Sequence, residues 1–309
     1  MLIDLLLLVI GFVLLIKGAD YFVDGASSLA TRMCIPPIII GLTVVAMGTS
    51  APEAAVSISS AMHGSNAIAI GNVIGSNIAN IFLILGVTAM ITTLTVQKNT
   101  VRYEIPFVGL ITLLLCWMGM SYGVISRAGA GVLLGLFVAF LVYLYIISRE
   151  TECDIDAPKS LGKIKIALYI ILGLVALVWG SNITVESAVS VARYIGVSER
   201  VIGLTIIAIG TSLPELVTSV IAASKGQSDI AIGNIVGSNI FNILFVLGIA
   251  GLILPIPFNP AFLFDGAIAI LAVALLLMFI CRGKCLTRVP GILFVIIYIA
   301  YLAWLIIDK

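Results

Sequence analysis

The chain has 309 residues, 61% of them hydrophobic and only 10% charged, with a net charge of +1 and a mean hydropathy of +1.26. That balance excludes a soluble globular domain and makes the lipid bilayer the expected surroundings, with no nucleic-acid partner. Five cysteines without CxxC spacing and a single His63 leave little for a zinc site, so the thiols are expected to pack and no cofactor is expected.

Ten apolar runs of about 18 or more residues are bounded by charged or turn-rich clusters, and none alternates in the manner of a barrel strand. The first, at 2–24, has no basic leader or small-residue cleavage site and is kept as a retained helix carrying Gly11 and Gly18. The second, 36–62, holds MGTSAPEAAVS, which sets Glu53 one residue after Pro52 in apolar surroundings. The third, 67–94, holds GNVIGSNIANI, in which Asn72, Ser76 and Asn80 step by four along one helix face. Runs at 103–121 and 126–148 are plainly apolar, and a short charged linker over 149–163 follows, with Glu150, Glu152, Asp154 and Asp156 as a solvated stretch. The sixth run, 164–189, carries Gly173 and Gly180. In the seventh, 200–224, IGTSLPELVTS brings Pro214 and Glu215. The eighth, 229–254, contains GNIVGSNIFNI with Asn234, Ser238 and Asn242 at the same step of four, and runs at 259–281 and 289–307 complete the ten.

A shift of 162 residues aligns GLTVVAMGTSAPE with GLTIIAIGTSLPE at nine of thirteen positions, and the two GN-GSNI blocks at eight of eleven. One register for both blocks means a duplicated unit. Each copy holds five spans, an odd number, so the second crosses the membrane in the opposite sense. The fold expected is an all-α membrane protein of ten transmembrane helices in two inverted five-helix repeats, residues 1–148 and 164–309, joined by the 149–163 linker. Basic residues set the orientation. Eleven of them, Arg32, Lys98, Arg102, Arg149, Lys159, Lys163, Lys165, Lys225, Arg282, Lys284 and Arg288, share one side, against Arg127, Arg193, Arg200 and Lys309 on the other, which puts both termini outside and the linker with Cys153 inside.

An ionised carboxylate in hydrocarbon costs at least about 2.5–3.5 kcal/mol. No Lys or Arg lies in these four spans near the glutamates to neutralise them, so a cation is the expected partner. Proline lacks an N–H and frees the carbonyl of Gly48 at Pro52 and of Gly210 at Pro214, giving a cation backbone oxygen as well. Thr49 and Ser50 share a face with Glu53, and Thr211 and Ser212 repeat that face beside Glu215. All these donors are oxygen, which suits hard cations such as calcium and sodium. For Asn72, Asn77, Asn234 and Asn239, ion contact and interhelical hydrogen bonding remain open alternatives. Because protons bind carboxylates too, acid is expected to compete with the metal ions.

GTSAPE with GNVIGSNIANI, and GTSLPE with GNIVGSNIFNI, resemble the paired repeats of the sodium/calcium exchangers, in the calcium/cation antiporter superfamily, of the prokaryotic type without a regulatory domain. The resemblance implies countertransport of calcium against sodium in the plasma membrane, without ATP and without enzyme chemistry. It implies calcium ligands at Glu53 and Glu215 with carbonyls near Thr49 and Thr211, and sodium shared among Ala46, Ser50, Ser76, Ala208, Ser212, Ser238 and the same glutamates. Asn80 and Asn242 take matching positions, where some potassium-dependent relatives carry Asp in place of Asn242. A proton/calcium exchanger is the nearest alternative and a cation channel a more distant one. The offset also aligns Gly11 with Gly173 and Gly18 with Gly180, a smooth face expected to slide across the ion-binding core; the resemblance implies a mobile first and sixth helix.

Overall fold

The computed structural model describes residues 2–64, 66–149, 161–197, 202, 205–206, 208–281 and 283–307. Glu150, Glu152, Cys153, Asp154, Asp156, Lys159, Arg200, Gly203, Arg282 and Lys309 lie outside the described residues, and of Ala208 only the backbone is described.

The chain is helical almost throughout: α1 Leu2–Met33, α2 Pro37–Thr49, α3 Ala51–Met62, α4 Ile68–Ile91, α5 Thr100–Tyr122, α6 Arg127–Arg149, α7 Lys163–Tyr194, α8 Leu213–Ser224, α9 Ser228–Ile253, α10 Phe262–Ile280 and α11 Arg288–Ile307. Among the described residues, eight helices are long and apolar enough to cross a membrane, and the bent pair α2–α3 makes a ninth. The short turn Ala208–Gly210 and α8 stand where the repeat puts the seventh span. Large apolar side chains on α1, α6, α7 and α11, such as Leu6, Val138, Ile171 and Ile296, face outward, as a bilayer-embedded surface requires.

The halves exchange partners. Helix α4 packs on α11, the last helix of the second unit, while α9 packs on α6, the last of the first. Two short antiparallel ladders repeat the exchange at the membrane ends. Strand β1 (Leu94–Thr95) pairs with β4 (Cys285–Leu286), and β2 (Val124–Ile125) with β3 (Ile256–Pro257). Arg127, one of the few basic residues away from the basic end, donates from Nε to the Leu252 carbonyl at 3.1 Å and from Nη2 to the Ile253 carbonyl at 3.2 Å. It thereby satisfies two of the open carbonyls that every helix end leaves.

Helices α1 and α7 run further than hydropathy suggests, each with 32 residues, whereas apolar runs end near residues 24 and 189. Their final turns lie beyond those apolar runs. At about 1.5 Å per residue each helix reaches about 48 Å, more than the roughly 30 Å hydrocarbon core, so both must tilt or protrude.

The glycine faces of these two helices are not the sliding surface expected from sequence. They face each other. A Cβ on Gly11 would lie 3.0 Å from the Gly180 carbonyl oxygen, and one on Gly18 would lie 2.9 Å from that of Gly173. The four glycines let the backbones touch along a common seam, so α1 and α7 form one tight pair that packs on the rest of the bundle through other residues, among them Phe22 and Leu174 beside Gly48. The expectation that all the cysteines simply pack as thiols holds for Cys116, a buried free thiol, and fails elsewhere among the described residues: Cys34 is disulfide-bonded, and the free thiols of Cys281 and Cys285 reach the surface.

Candidate cation site

The proline does more than loosen a helical turn. Helix α2 ends at Thr49, Ser50 turns the chain at φ −81° and ψ 9°, and α3 leaves at an angle of 51°. Pro52 then sits in the first turn of α3, where its missing N–H removes no helical bond. Ser212 makes the same turn at φ −90° and ψ 7° before α8. Glu53 and Glu215 each therefore occupy the first turn of a new helix, where the aligned peptide dipoles support negative charge.

Both glutamates are 1% exposed. Ser50 Oγ donates to Glu215 Oε1 at 2.8 Å, and Ser212 Oγ donates to Glu53 Oε1 at 3.4 Å, so each half supplies a hydroxyl to the carboxylate of the other. Asn72 Nδ2 donates to the Glu53 carbonyl at 3.3 Å and to Ser57 Oγ at 3.0 Å. Asn234 Nδ2 does the same for the Glu215 carbonyl at 3.4 Å and Ser219 Oγ at 3.0 Å. Asn80 Nδ2 donates to Asn239 Oδ1 at 2.9 Å, mirrored by Asn242 Nδ2 to Asn77 Oδ1 at 3.2 Å. Every one of these bonds recurs at the 162-residue offset, which makes the site pseudo-twofold at atomic detail.

All six asparagines are thus engaged through their amides as interhelical or cross-repeat braces, and among the described residues the side-chain carbonyls of Asn80 and Asn242 are the ones left buried and open. Among the described residues, Asn80 Oδ1, Asn242 Oδ1, Glu53 Oε2 and Glu215 Oε2 are buried and find no hydrogen-bond partner. Asn80 and Asn242 each open a wide π-helical turn, Asn80–Leu85 and Asn242–Val246, of the kind that recurs at functional sites. Thr49 Oγ1 bonds Asn234 Oδ1 at 2.9 Å and the Ala46 carbonyl at 3.3 Å, and Ser238 Oγ donates to that same carbonyl at 3.4 Å. Ser76 is buried at the middle of the α4 stripe, and Thr211 is half-buried beside Ser212.

Two features escaped the sequence. Ser57 and Ser219 anchor the Asn72 and Asn234 braces; the signal was present, since both repeat motifs end in that serine. The second is the carbonyl of Gly210, freed by Pro214 and expected to face a cation. It instead accepts a hydrogen bond from Ser181 Oγ of α7 at 2.9 Å. The position equivalent to Ser181 in the first unit is Ala19, so this bond breaks the symmetry.

Known proteins agree with this architecture. A family model described as sodium/calcium exchanger protein matches residues 3–146 and 165–307. The putative antiporter CaxA of Alkalimonas amylolytica is 42% identical over 97% of this chain and 98% of its own. The sodium/calcium exchanger MaX1 of Methanosarcina acetivorans is 33% identical over 97% of each chain. Among solved structures, the sodium-calcium exchanger NCX_Mj superposes with a TM-score of 0.84 at 31% identity, covering 98% of both chains. With a match to the family model across nearly its whole length and an all-helical bundle of the same shape, this multi-pass membrane protein is a member of the sodium/calcium exchanger family, a family of transporters and not of enzymes.

Proposed function

We propose that the protein is a secondary-active antiporter of the plasma membrane that exchanges sodium for calcium by alternating access at the site between its two GTSxPE repeats. The observation that carries this reading is the set of four buried atoms, out of six that lack a partner among the described residues, that belong to residues repeated at the 162-residue offset. All four are acceptors, two of them on carboxylates, and they come in symmetric pairs. A buried acceptor without a donor is costly. A hard cation relieves all four at once, and calcium takes about six to eight such oxygens. Glu53 and Glu215 are assigned as calcium ligands, with the backbone carbonyls at Thr49 and Thr211. Ser50, Ser212, Ser76, Ser238, Asn80, Asn242 and the carbonyls of Ala46 and Ala208 complete the oxygen set shared with sodium. The names of MaX1 and NCX_Mj, both sodium/calcium exchangers, support the choice of counter-ion.

Alternating access is supported by a difference between the two halves. On α8, which packs against α1, Thr218 is fully buried, while the equivalent Val56 on α3 is 40% exposed, and among the described residues α7 makes no comparable packing against α3. With both termini outside, as the distribution of basic residues supports, the α3 face that exposes Val56 lies toward the extracellular side.

Calcium uptake into proteoliposomes tests the reading under an outward sodium gradient, under a pH gradient and with neither. Sodium-driven uptake alone is expected. Uptake driven by the pH gradient alone would replace it with proton/calcium exchange, and uptake with no gradient would indicate a channel.

A further inference from the structure

Outside the ion site, a charged cluster joins the α1–α7 pair to the core. Lys225, just past the end of α8, places Nζ 2.6 Å from Asp20 Oδ1 and 2.6 Å from Asp24 Oδ1 of α1, and donates to the Asp20 carbonyl at 3.1 Å. The 162-residue offset maps Lys225 onto His63, Asp20 onto Asn182 and Asp24 onto Glu186. His63 follows α3, and Asn182 and Glu186 lie on α7. All three are exposed, and among the described residues no ion pair joins His63 to Glu186; its Nδ1 lies instead 2.8 Å from the Ser59 carbonyl.

We propose that these are two alternating latches: Lys225 with Asp20 and Asp24 holds the conformation seen here, and His63 with Asn182 and Glu186 holds the opposite one. The geometry of the present state supplies the argument. Helix α1 packs along α8, where Thr218 is fully buried, whereas among the described residues α7 makes no comparable packing on α3, where the equivalent Val56 is exposed. Inverted repeats related by a pseudo-twofold axis reach their second state when the halves trade conformations. In that trade α7 takes up along α3 the place that α1 now holds along α8, which carries Glu186 and Asn182 to His63 and withdraws Asp20 and Asp24 from Lys225. The imidazole donates a hydrogen bond to a carboxylate in either protonation state. The two latches are unequal. A lysine held by two carboxylates stands against a histidine facing one carboxylate and one amide, so the resting chain favours the state in which the Lys225 end is closed.

This inference rests on the alternating-access reading, and its test needs no ion gradient. Single reporter cysteines, Val56→Cys and Thr218→Cys, are introduced into a chain lacking its native cysteines, and labelling by an impermeant maleimide is timed in vesicles of both orientations. The ratio of the Thr218→Cys rate to the Val56→Cys rate follows the balance between states. Lys225→Ala is expected to raise that ratio about two- to fivefold, the worth of half-exposed ion pairs. His63→Ala is expected to lower it, and Lys225→Arg to leave it near the starting value. As a second measurement, a His63→Cys, Glu186→Cys pair is expected to form a disulfide faster when Lys225→Ala is also present. Ratios that do not move in Lys225→Ala and His63→Ala, or that move together in one direction, overturn the proposal, as does a cysteine pair that never joins. Expected labelling without sodium-driven calcium flux would instead remove the antiporter reading and leave the latches standing.

Discussion

The seam between α1 and α7 can be tested by adding a single methyl group. In Gly173→Ala the new Cβ would lie 2.7 Å from Phe22 N, 2.8 Å from the Gly18 carbonyl oxygen and 2.9 Å from Phe22 Cα. All three are backbone atoms, so no side chain can rotate aside. Restoring ordinary contact at 3.4 Å requires the helices to part by 0.5–0.7 Å at that point. Overpacking of this kind costs about 1–3 kcal/mol. At about 2–4 °C per kcal/mol for a chain of this order of size, the melting temperature in detergent should drop by about 2–12 °C. Gly135→Ala is the control. It also lies within a helix, α6, but a Cβ there meets nothing within 4 Å, so only the helix propensity changes, a gain of about 0.5–1 kcal/mol. Thermal melts by fluorescence-detected size exclusion compare the two, and calcium titration of the surviving folded fraction checks the site. Calcium affinity should hold in Gly173→Ala while turnover drops, because the assigned ligands are untouched and, on the proposed mechanism, a loosened α1–α7 pair no longer moves as one body. Equal melting temperatures for Gly173→Ala and Gly135→Ala would refute the backbone seam.

Glu53→Gln and Glu215→Gln keep side-chain volume and halve the carboxylate charge, so sodium-driven calcium flux in proteoliposomes should fall by orders of magnitude while the purified protein stays monodisperse; normal flux in either would sink the ligand assignment. Acid should inhibit exchange, since a protonated carboxyl surrenders the charge that holds the cation, and saturating calcium should restore part of the rate; the check is a set of uptake curves at several pH values and calcium concentrations. Ser181→Ala removes the donor to the Gly210 carbonyl, at a cost of about 1 kcal/mol and a few degrees of melting temperature, with calcium affinity unchanged in the same titration because that carbonyl is not a ligand. In intact cells, Tyr122→Cys, 67% exposed at the end of α5, should react with an impermeant thiol reagent, and Ile164→Cys, 80% exposed at the start of α7, only after permeabilisation; the reverse pattern would invert the orientation.

The parts of this molecule that its sequence reveals are those where one local pattern carries the cost. Glu53 and Glu215 stand out because a charge in hydrocarbon needs a reason, and the 162-residue offset doubles that reason. The asparagine stripe is equally plain, but its division of labour is not. Asn72, Asn77, Asn80 and their counterparts look alike in spacing, and only the crossing of α4 and α9 decides that Asn77 and Asn239 brace the two halves while Asn80 and Asn242 keep a carbonyl free. Periodicity also marks the glycine faces of α1 and α7 without saying what they meet, since a face has a direction and no address. The bond from Ser181 to Gly210 joins residues of two different spans, and nothing near either residue announces it. The true lengths of α1 and α7 were hidden because apolar character fades after about residues 24 and 189, whereas the helices continue to Met33 and Tyr194.

The exchange of partners between the halves bears on how the chain is made. During synthesis the first six helices reach the membrane before α9 and α11 exist. Asn77 and Asn80 then have no Asn239 or Asn242 to bond, and α4 has no α11 to lie against. The first half then presents an unfinished surface, with those amides dependent on other partners until the second half arrives. Arrival of α9 satisfies the amides, and α11, the last helix to leave the ribosome, closes the flank of α4. A break in the 149–163 linker severs one covalent link and none of these contacts, so two separately made halves have everything they need to assemble, provided that they meet in the same bilayer.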